Sequence, residues 1–230
     1  MKVKLISHSQ PMDGGDSALD LIAYCARVSN PSNQNNRETN EKLVNYLMKH
    51  KHWSPLEMVS CCLEIETTRD IARQILRHRS FSFQEFSQRY ANPLDDLSFE
   101  YRQARLQDPK NRQNSIPLDI PEMGMGGNKT KEELLAEKWQ DKQRSVINEA
   151  KAAYKWAIEQ GIAKEQARVV LPEGNTVSRM YVNGTLRSWV HFIELRSGNG
   201  TQLEHMQIAR EVAKVISLIF PMAENFVENN

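Results

Sequence analysis

Met58-Val59-Ser60-Cys61-Cys62-Leu63-Glu64-Ile65-Glu66-Thr67 runs without a break into Thr68-Arg69-Asp70-Ile71-Ala72-Arg73-Gln74-Ile75-Leu76-Arg77-His78. The first segment, with Val59, Ile65 and Thr67, predicts a strand. The second predicts a helix. Thr67 and Asp70 read as a capping box, with Asp in the place usually held by Glu. Ile71, Ile75 and Leu76 carry that helix to about His78. Ser82 to Tyr90 then predicts a return as a strand or extended segment.

Outward from this core, Met1 to Ser7 predicts a first strand and lacks the pattern of a signal peptide. Asp16 to Val28 has helical spacing at Leu19, Ile22, Ala23 and Ala26, and Thr39 to Lys49 has it at Leu43, Tyr46 and Leu47. The polar run from Asn30 to Asn36 separates the two as a loop. Residues 91–130 are Pro-rich and polar and predict a variable surface loop, most variable at about 96–130 and flexible at Met123-Gly124-Met125-Gly126-Gly127. Residues 131–160 predict a long helix ended by Gly161, with Trp139 and Trp156 expected in its core face. Lys164 to Leu171 predicts a short helix stopped by Pro172. Arg179 to Val182 predicts a short strand. Leu186 to Arg196 and Leu203 to Phe220 predict two more helices.

Few strands, many helices and no βαβ regularity predict an α+β fold, a small mostly antiparallel sheet with surrounding helices, in a single domain over 1–230. Gly14-Gly15 and Gly124 to Gly127 lack the strand–turn–helix setting of a dinucleotide fingerprint. Any dinucleotide cofactor therefore binds in a non-Rossmann site.

Charge is concentrated where the strand and helix meet. The 230 residues carry 30 Lys+Arg and 29 Asp+Glu, a net charge of +1. Yet Arg69, Arg73, Arg77, Arg79 and Arg89 cluster with His78 against only Asp70 and Glu85. The planar arginine fork matches phosphate oxygens two at a time, so the cluster suits a phosphorylated small molecule. A solvated basic helix end is the plainer alternative. A second constellation is Ala167-Arg168-Val169-Val170-Leu171-Pro172 followed by Arg187 to Arg196. Read unaided, its helix is amphipathic with a charged stripe, Arg187 and His191 sharing a face.

Arg77-His78-Arg79, seven residues, then Ser87 resembles the signature of the flavin-dependent thymidylate synthases. Gln74, Glu85, Arg89 and Tyr90 agree with it, and so do Arg168 with Val170-Leu171-Pro172 and Leu195-Arg196. The resemblance covers roughly residues 18–95 and 161–220. It implies reductive methylation of dUMP to dTMP. 5,10-Methylenetetrahydrofolate gives the carbon, and FAD reduced by NADPH gives the hydride. It further implies a homotetramer with active sites at subunit interfaces. Gln74, Ile75, Leu76, Arg77, Glu85, Phe86, Ser87, Gln88, Arg89, Arg168 and Arg196 would hold dUMP. Ser54, Arg77, His78, Arg79, Glu85, Thr185, Arg187 and His191 would contact FAD. His52, in His52-Trp53-Ser54-Pro55, would lie near flavin and folate. Thr185 stands where other members carry Asn. Arg196 would be the catalytic residue, its cation favouring the anionic form of the uracil ring.

Several classes fit poorly. A nucleic-acid binder needs a broad positive surface, which a net charge of +1 does not give. No apolar run approaches the roughly 18 residues of a membrane span. Cys25, Cys61 and Cys62 have no paired spacing, so a reduced, cytoplasmic protein is expected. Adjacent Cys61 and Cys62 point to opposite faces of a strand and read as small buried residues rather than nucleophiles. His50 and His52 lack a third ligand, so no metal is expected. Ser87 has no base placed by the sequence to activate it.

Overall fold

β1 (Lys2–His8) pairs antiparallel with β2 (Ser60–Thr68) in the computed structural model, which describes residues 1–13, 15–120 and 129–228. Val3 faces Ile65 and Leu5 faces Leu63, and the register shifts between Leu5 and Ser7. Cys61, Leu63, Ile65 and Thr67 are buried along β2, while Ser60, Cys62, Glu64 and Glu66 are less so. That period of two follows from successive side chains leaving opposite faces of a strand. With β3 (Ser82–Glu85) and β6 (Val177–Thr185), the four-stranded sheet has the order β1-β2-β6-β3. The helices α1 (Ala18–Ala26) and α2 (Asn40–Lys49) lie where their spacing predicts. The fold is α+β with a small antiparallel sheet, as expected. Gly14 and the stretch Met123 to Gly127 lie outside the described residues.

The chain divides into two compact units. The first comprises Met1–Glu66, Gln74–Gln84 and Met180–Asn230. Its core is built by α7 (Leu186–Arg196), through Leu186, Trp189, Phe192 and Ile193, and by α8 (Leu203–Ser217), through Ile208, Ala209, Val212 and Ile216. The Thr185 hydroxyl caps α7 by accepting from the Ser188 amide, which fixes the start of the helix. Trp189 donates its ring N–H to the Cys61 carbonyl at 3.2 Å, so the buried indole is satisfied. Phe81 packs against Trp189 with ring centroids 4.4 Å apart and planes inclined by 51°. Gly184 admits that ring: a Cβ there would stand 2.3 Å from the Phe81 side chain.

The second unit comprises Thr67–Arg73 and Glu85–Arg179. It holds α4 (Pro93–Asp96), the antiparallel pair β4 (Arg105–Gln107) and β5 (Ser115–Pro117), α5 (Lys131–Glu159) and α6 (Lys164–Ala167). A capping box of Thr130 and Glu133 opens α5. Gly161 closes it with φ +78°; the Gly161 amide donates to the Ile158 carbonyl and the Ile162 amide to Ala157. This is the paired C-terminal closure that a left-handed glycine permits.

Six expectations need correction. Thr67 is not a cap, because it belongs to β2. The first two amides of α3 (Arg69–Ile75) instead donate to the backbone carbonyls of Thr176 and Glu173. Asp70 is held by Arg102 at 2.8 and 3.1 Å and accepts from the Thr68 hydroxyl at 2.5 Å. Second, α3 ends at Ile75 rather than near His78. The Arg77 and His78 amides bond three residues back, which tightens the chain into a turn. Third, the strand from Ser82 stops at Glu85. The Arg89 amide donates to the Ser87 hydroxyl and the Tyr90 amide to the Ser87 carbonyl, a local turn that competes with the ladder. Fourth, residues 91–130 are not all loop, since they include α4 and the β4–β5 pair. Fifth, Trp139 and Trp156 are 44% and 59% exposed. The buried face of α5 is Gln143, Ile147, Ala150, Tyr154 and Ala157, all but Gln143 on the apolar period that the sequence carries. Gln143 belongs there because it exchanges hydrogen bonds with the Arg102 backbone. The last helix also ends earlier, at Ser217, followed by a turn over Pro221–Phe226.

Candidate active site

The Arg-His-Arg signature sits in the turn after α3, and the turn splits its three side chains. Arg77 and Arg79 are exposed, while His78 is turned inward and 9% exposed. Phe192 meets the His78 ring edge-on at 5.0 Å, with Phe81 and His205 each at 6.3 Å. Burial, reinforced by Arg196 and then His191, pushes the His78 pKa down to about 4. The ring is therefore neutral near pH 7. Its Nε2 accepts the Nε–H of Arg196 at 3.0 Å, so its proton is on Nδ1.

Arg196 is the last residue of α7 and half-buried. Burial, then Arg77, lowers its pKa, though guanidinium stays charged throughout the working range. Among the described residues no carboxylate pairs with it, and its terminal nitrogens have no hydrogen-bond partner. A helix C-terminus carries partial negative charge and favours a cation there. The result is a cation fixed at one nitrogen and open at the others.

Gln74, in the last turn of α3, is also tied down. It donates to Gln202 Oε1 at 2.8 Å, and its own Oε1 lies 3.1 Å from His205 Nδ1. Ile75 is fully buried. Leu76 is half-buried. Sequence reasoning missed His205. It falls on the apolar stripe of α8, and nothing local distinguishes it from a core residue.

Elsewhere in the first unit, a cavity of about 410 Å³ is lined by residues that include Trp53, Glu57, Ser80, Arg187 and His191. A neighbouring hollow of about 540 Å³ takes in His52, Ser54, Trp53 and Arg187. Four of the expected cofactor or folate contacts, His52, Ser54, Arg187 and His191, thus line these two spaces. Arg187 forms an ion pair with Glu57. The Thr185 hydroxyl is committed to capping α7.

In the second unit, Glu85 is engaged by protein. It accepts from Ser178 at 2.6 Å and pairs with Arg69 at 3.5 Å. Ser87 accepts from the Arg89 amide, and the Phe86 amide donates to the Arg179 carbonyl. Gln88 is 3% exposed, and its Nε2 has no partner among the described residues. Arg89 pairs with Glu165 at 3.5 Å in solvent. Arg168 donates to the Glu165 carbonyl at 3.2 Å.

Comparison with known proteins decides the family. Residues 4–222 match the model of the thymidylate synthase complementing protein family. The chain is 45% identical over 222 residues to the probable flavin-dependent thymidylate synthase of Paramecium bursaria Chlorella virus 1, covering 96% of each chain. It belongs to the flavin-dependent thymidylate synthase family. The enzyme of that name from Synechocystis sp. is 44% identical over 226 residues, again with 96% of each chain covered. The UMP/dUMP methylase PolB from Streptomyces cacaoi, solved with 5-Br dUMP bound, has the same fold. Its TM-score is 0.74 at 23% identity, over 98% of this chain and 93% of that one. The donor set of the 410 Å³ cavity also fits a flavin nucleotide. Arg187 is a cation suited to a phosphate, Ser80 a hydroxyl, and Trp53 an aromatic face.

Proposed function

We propose that this member of the flavin-dependent thymidylate synthase family methylates dUMP to dTMP, working as one catalytic domain over 1–230. The carbon comes from 5,10-methylenetetrahydrofolate and the reducing power from NADPH. The active form is a cytoplasmic homotetramer with active sites at subunit interfaces. Bound FAD supplies the hydride that completes the methyl group. Ser54, Arg79, Arg187 and His191 hold it, with His52 beside the folate. On binding, a ligand phosphate takes the place of the Glu57 carboxylate on Arg187.

The observation that carries this reading is the state of Arg196. Its guanidinium is oriented at Nε by a neutral His78 and has no carboxylate paired with it among the described residues. Such a cation beside the pyrimidine favours the electron-rich ring, which then attacks the carbon donor without a protein nucleophile. His78 acts here by holding Arg196. A protonated His78 would lose the acceptor lone pair and set a second positive charge against the first. The cysteines support the same chemistry. Burial raises the pKa of all three, that of Cys61 to about 12, so a thiolate is scarce near neutral pH. Gln74, Arg77, Glu85, Ser87, Gln88, Arg89 and Arg168 hold dUMP, with Arg168 on its phosphate.

The test is tritium release from ring-labelled dUMP by purified protein supplied with FAD, NADPH and methylenetetrahydrofolate. Release that requires all three is expected. Absence of release from soluble, flavin-loaded protein would defeat the assignment. A yellow colour on purification is the simplest first check.

A further inference from the structure

A chain of four side chains in the first unit fixes which way Gln74 faces. The Glu204 carboxylate only accepts hydrogen bonds, and Gln202 approaches it through Nε2 at 2.9 Å. Gln202 therefore turns its oxygen the other way, where it accepts from Gln74 Nε2 at 2.8 Å. With its nitrogen so committed, Gln74 presents its oxygen to His205 Nδ1 at 3.1 Å. An amide oxygen cannot donate, so the ring nitrogen must carry the proton. One carboxylate thus sets the polarity of both amides and the tautomer of the histidine.

His205 is fully buried, and its Nε2 has no partner among the described residues. Leaving a buried acceptor unpaired is unfavourable, so the histidine is not there for its own hydrogen bonding. Its useful atom is Nδ1–H. The ring is also held neutral: burial, then Arg196 and His78, pushes its pKa down to about 3. Gln74 retains one N–H and one oxygen lone pair beyond this chain, and it is half-buried.

We propose that His205 is a positioning residue for dUMP binding. Through Nδ1–H it pins the Gln74 oxygen, completing the hold that Gln202 has on the nitrogen, so that Gln74 offers a donor and an acceptor to the nucleotide in fixed positions. The proposal rests on the reading of Gln74 as a dUMP contact. An amide held only at its nitrogen can swing about that contact, whereas one held at both ends loses little orientational freedom on binding.

The experiment measures dUMP affinity, flavin content and melting temperature of the flavin-loaded protein. His205→Leu keeps the bulk and removes the donor. It should weaken dUMP binding about 5- to 10-fold, the range of one neutral hydrogen bond, with flavin content unchanged. His205→Asn keeps a donor nitrogen near the place of Nδ1, and it should restore affinity to within about 2-fold of the parent. In a Gln74→Ala background His205→Leu should add nothing further. If Leu and Asn behave alike, or if the two losses add, the positioning role is overturned. If Gln74→Ala weakens dUMP binding and His205→Leu does not, the positioning role alone falls. If Gln74→Ala leaves dUMP affinity intact, the Gln74 reading falls and the proposal with it. Should His205→Leu fail to fold, nitrogen NMR of the histidine-labelled parent decides. Nδ1 protonated and Nε2 bare from about pH 5 to 8 is expected; the opposite tautomer overturns the proposal.

Discussion

Arg196 in the first unit and Arg89 in the second are held in opposite ways. Arg196 is half-buried, donates to a neutral imidazole at 3.0 Å and has no anionic partner among the described residues. Arg89 is 55% exposed along its side chain and faces a 50% exposed Glu165 carboxylate at 3.5 Å. An exposed ion pair of that kind contributes about 0–1 kcal/mol, so a substrate phosphate can displace Glu165 at little cost. Replacing the His78–Arg196 contact means moving a buried ring packed on Phe192. The first arrangement suits a charge that must be in place when the reaction begins. The second suits a charge that adapts to a ligand already carrying its own.

The largest effect should come from breaking the fixed cation. Arg196→Ala should lower dTMP formation on the order of 100- to 1000-fold at saturating dUMP, the usual effect of losing one preorganised charge. Flavin reduction by NADPH should survive, because that half-reaction needs no activated pyrimidine. Arg196→Lys keeps the charge but loses the Nε–H that His78 accepts, so its rescue should be partial. Stopped-flow flavin reduction and product assay separate the two steps. Parental dTMP formation by Arg196→Ala would reduce Arg196 to a binding residue.

The adaptable side of the comparison predicts a smaller effect of a different kind. Arg168→Ala should raise the KM for dUMP on the order of 10-fold through one lost charge-assisted hydrogen bond, with kcat little changed. Glu165→Gln removes the anion that competes for Arg89. It should leave dUMP binding within about 3-fold of the parent or tighten it slightly. A fall in kcat with KM unchanged in Arg168→Ala would mean that the second unit also supplies a preorganised charge.

Acid should distinguish the units as well. All six histidines lie in the first. His78 and His205 have native pKa values pushed down to about 4 and about 3 from an ordinary 6.5. Between those limits the unfolded chain binds protons that the folded chain does not, so stability is lost as the pH falls below 6.5. The two histidines should dominate from about pH 6.5 to 5, above the ordinary carboxylate range. In that window hydrogen exchange should rise first in α7 and α8, with α5 still protected. Earlier opening of α5 would break the correlation between buried histidine and acid lability. His205→Asn should shallow the slope of melting temperature against pH.

α7 was legible to the residue, because Leu186, Trp189, Val190, Phe192 and Ile193 supply the period; the Thr185 cap that starts it emerged only in the structure. The sequence also made Arg196 visible through a family motif. What stayed hidden depends on residues far apart along the chain. The start of α3 is set by the carbonyls of Glu173 and Thr176, about a hundred residues away, so a capping box read from Thr67 had no use. Gln143 is paired on the buried face of α5 by the Arg102 backbone, 41 residues away along the chain, while Trp139, one turn earlier on that face, is 44% exposed. His205 shares its stripe with Ile208, Ala209 and Val212, and only its contact with Gln74 marks it.

The smallest effect should come from the cysteines, and it bears on whether the fixed cation is sufficient. Cys61 is 1% exposed and lies in the strand whose carbonyl anchors Trp189. A serine there would bury a hydroxyl, so Cys61→Ala combined with Cys25→Ser and Cys62→Ser is the milder change. Some loss of melting temperature is expected from the missing sulfur. Turnover per flavin-loaded protein should stay within about 2-fold of the parent, since the proposed chemistry uses no thiolate. The informative comparison is this variant against Arg196→Ala in one assay. If the cysteine-free protein retains its flavin and melts cooperatively yet makes no dTMP, and restoring one cysteine restores the product, a thiol is the nucleophile. The cation would then serve only to bind the ring, and the contrast between a charge for chemistry and a charge for binding would fall with it.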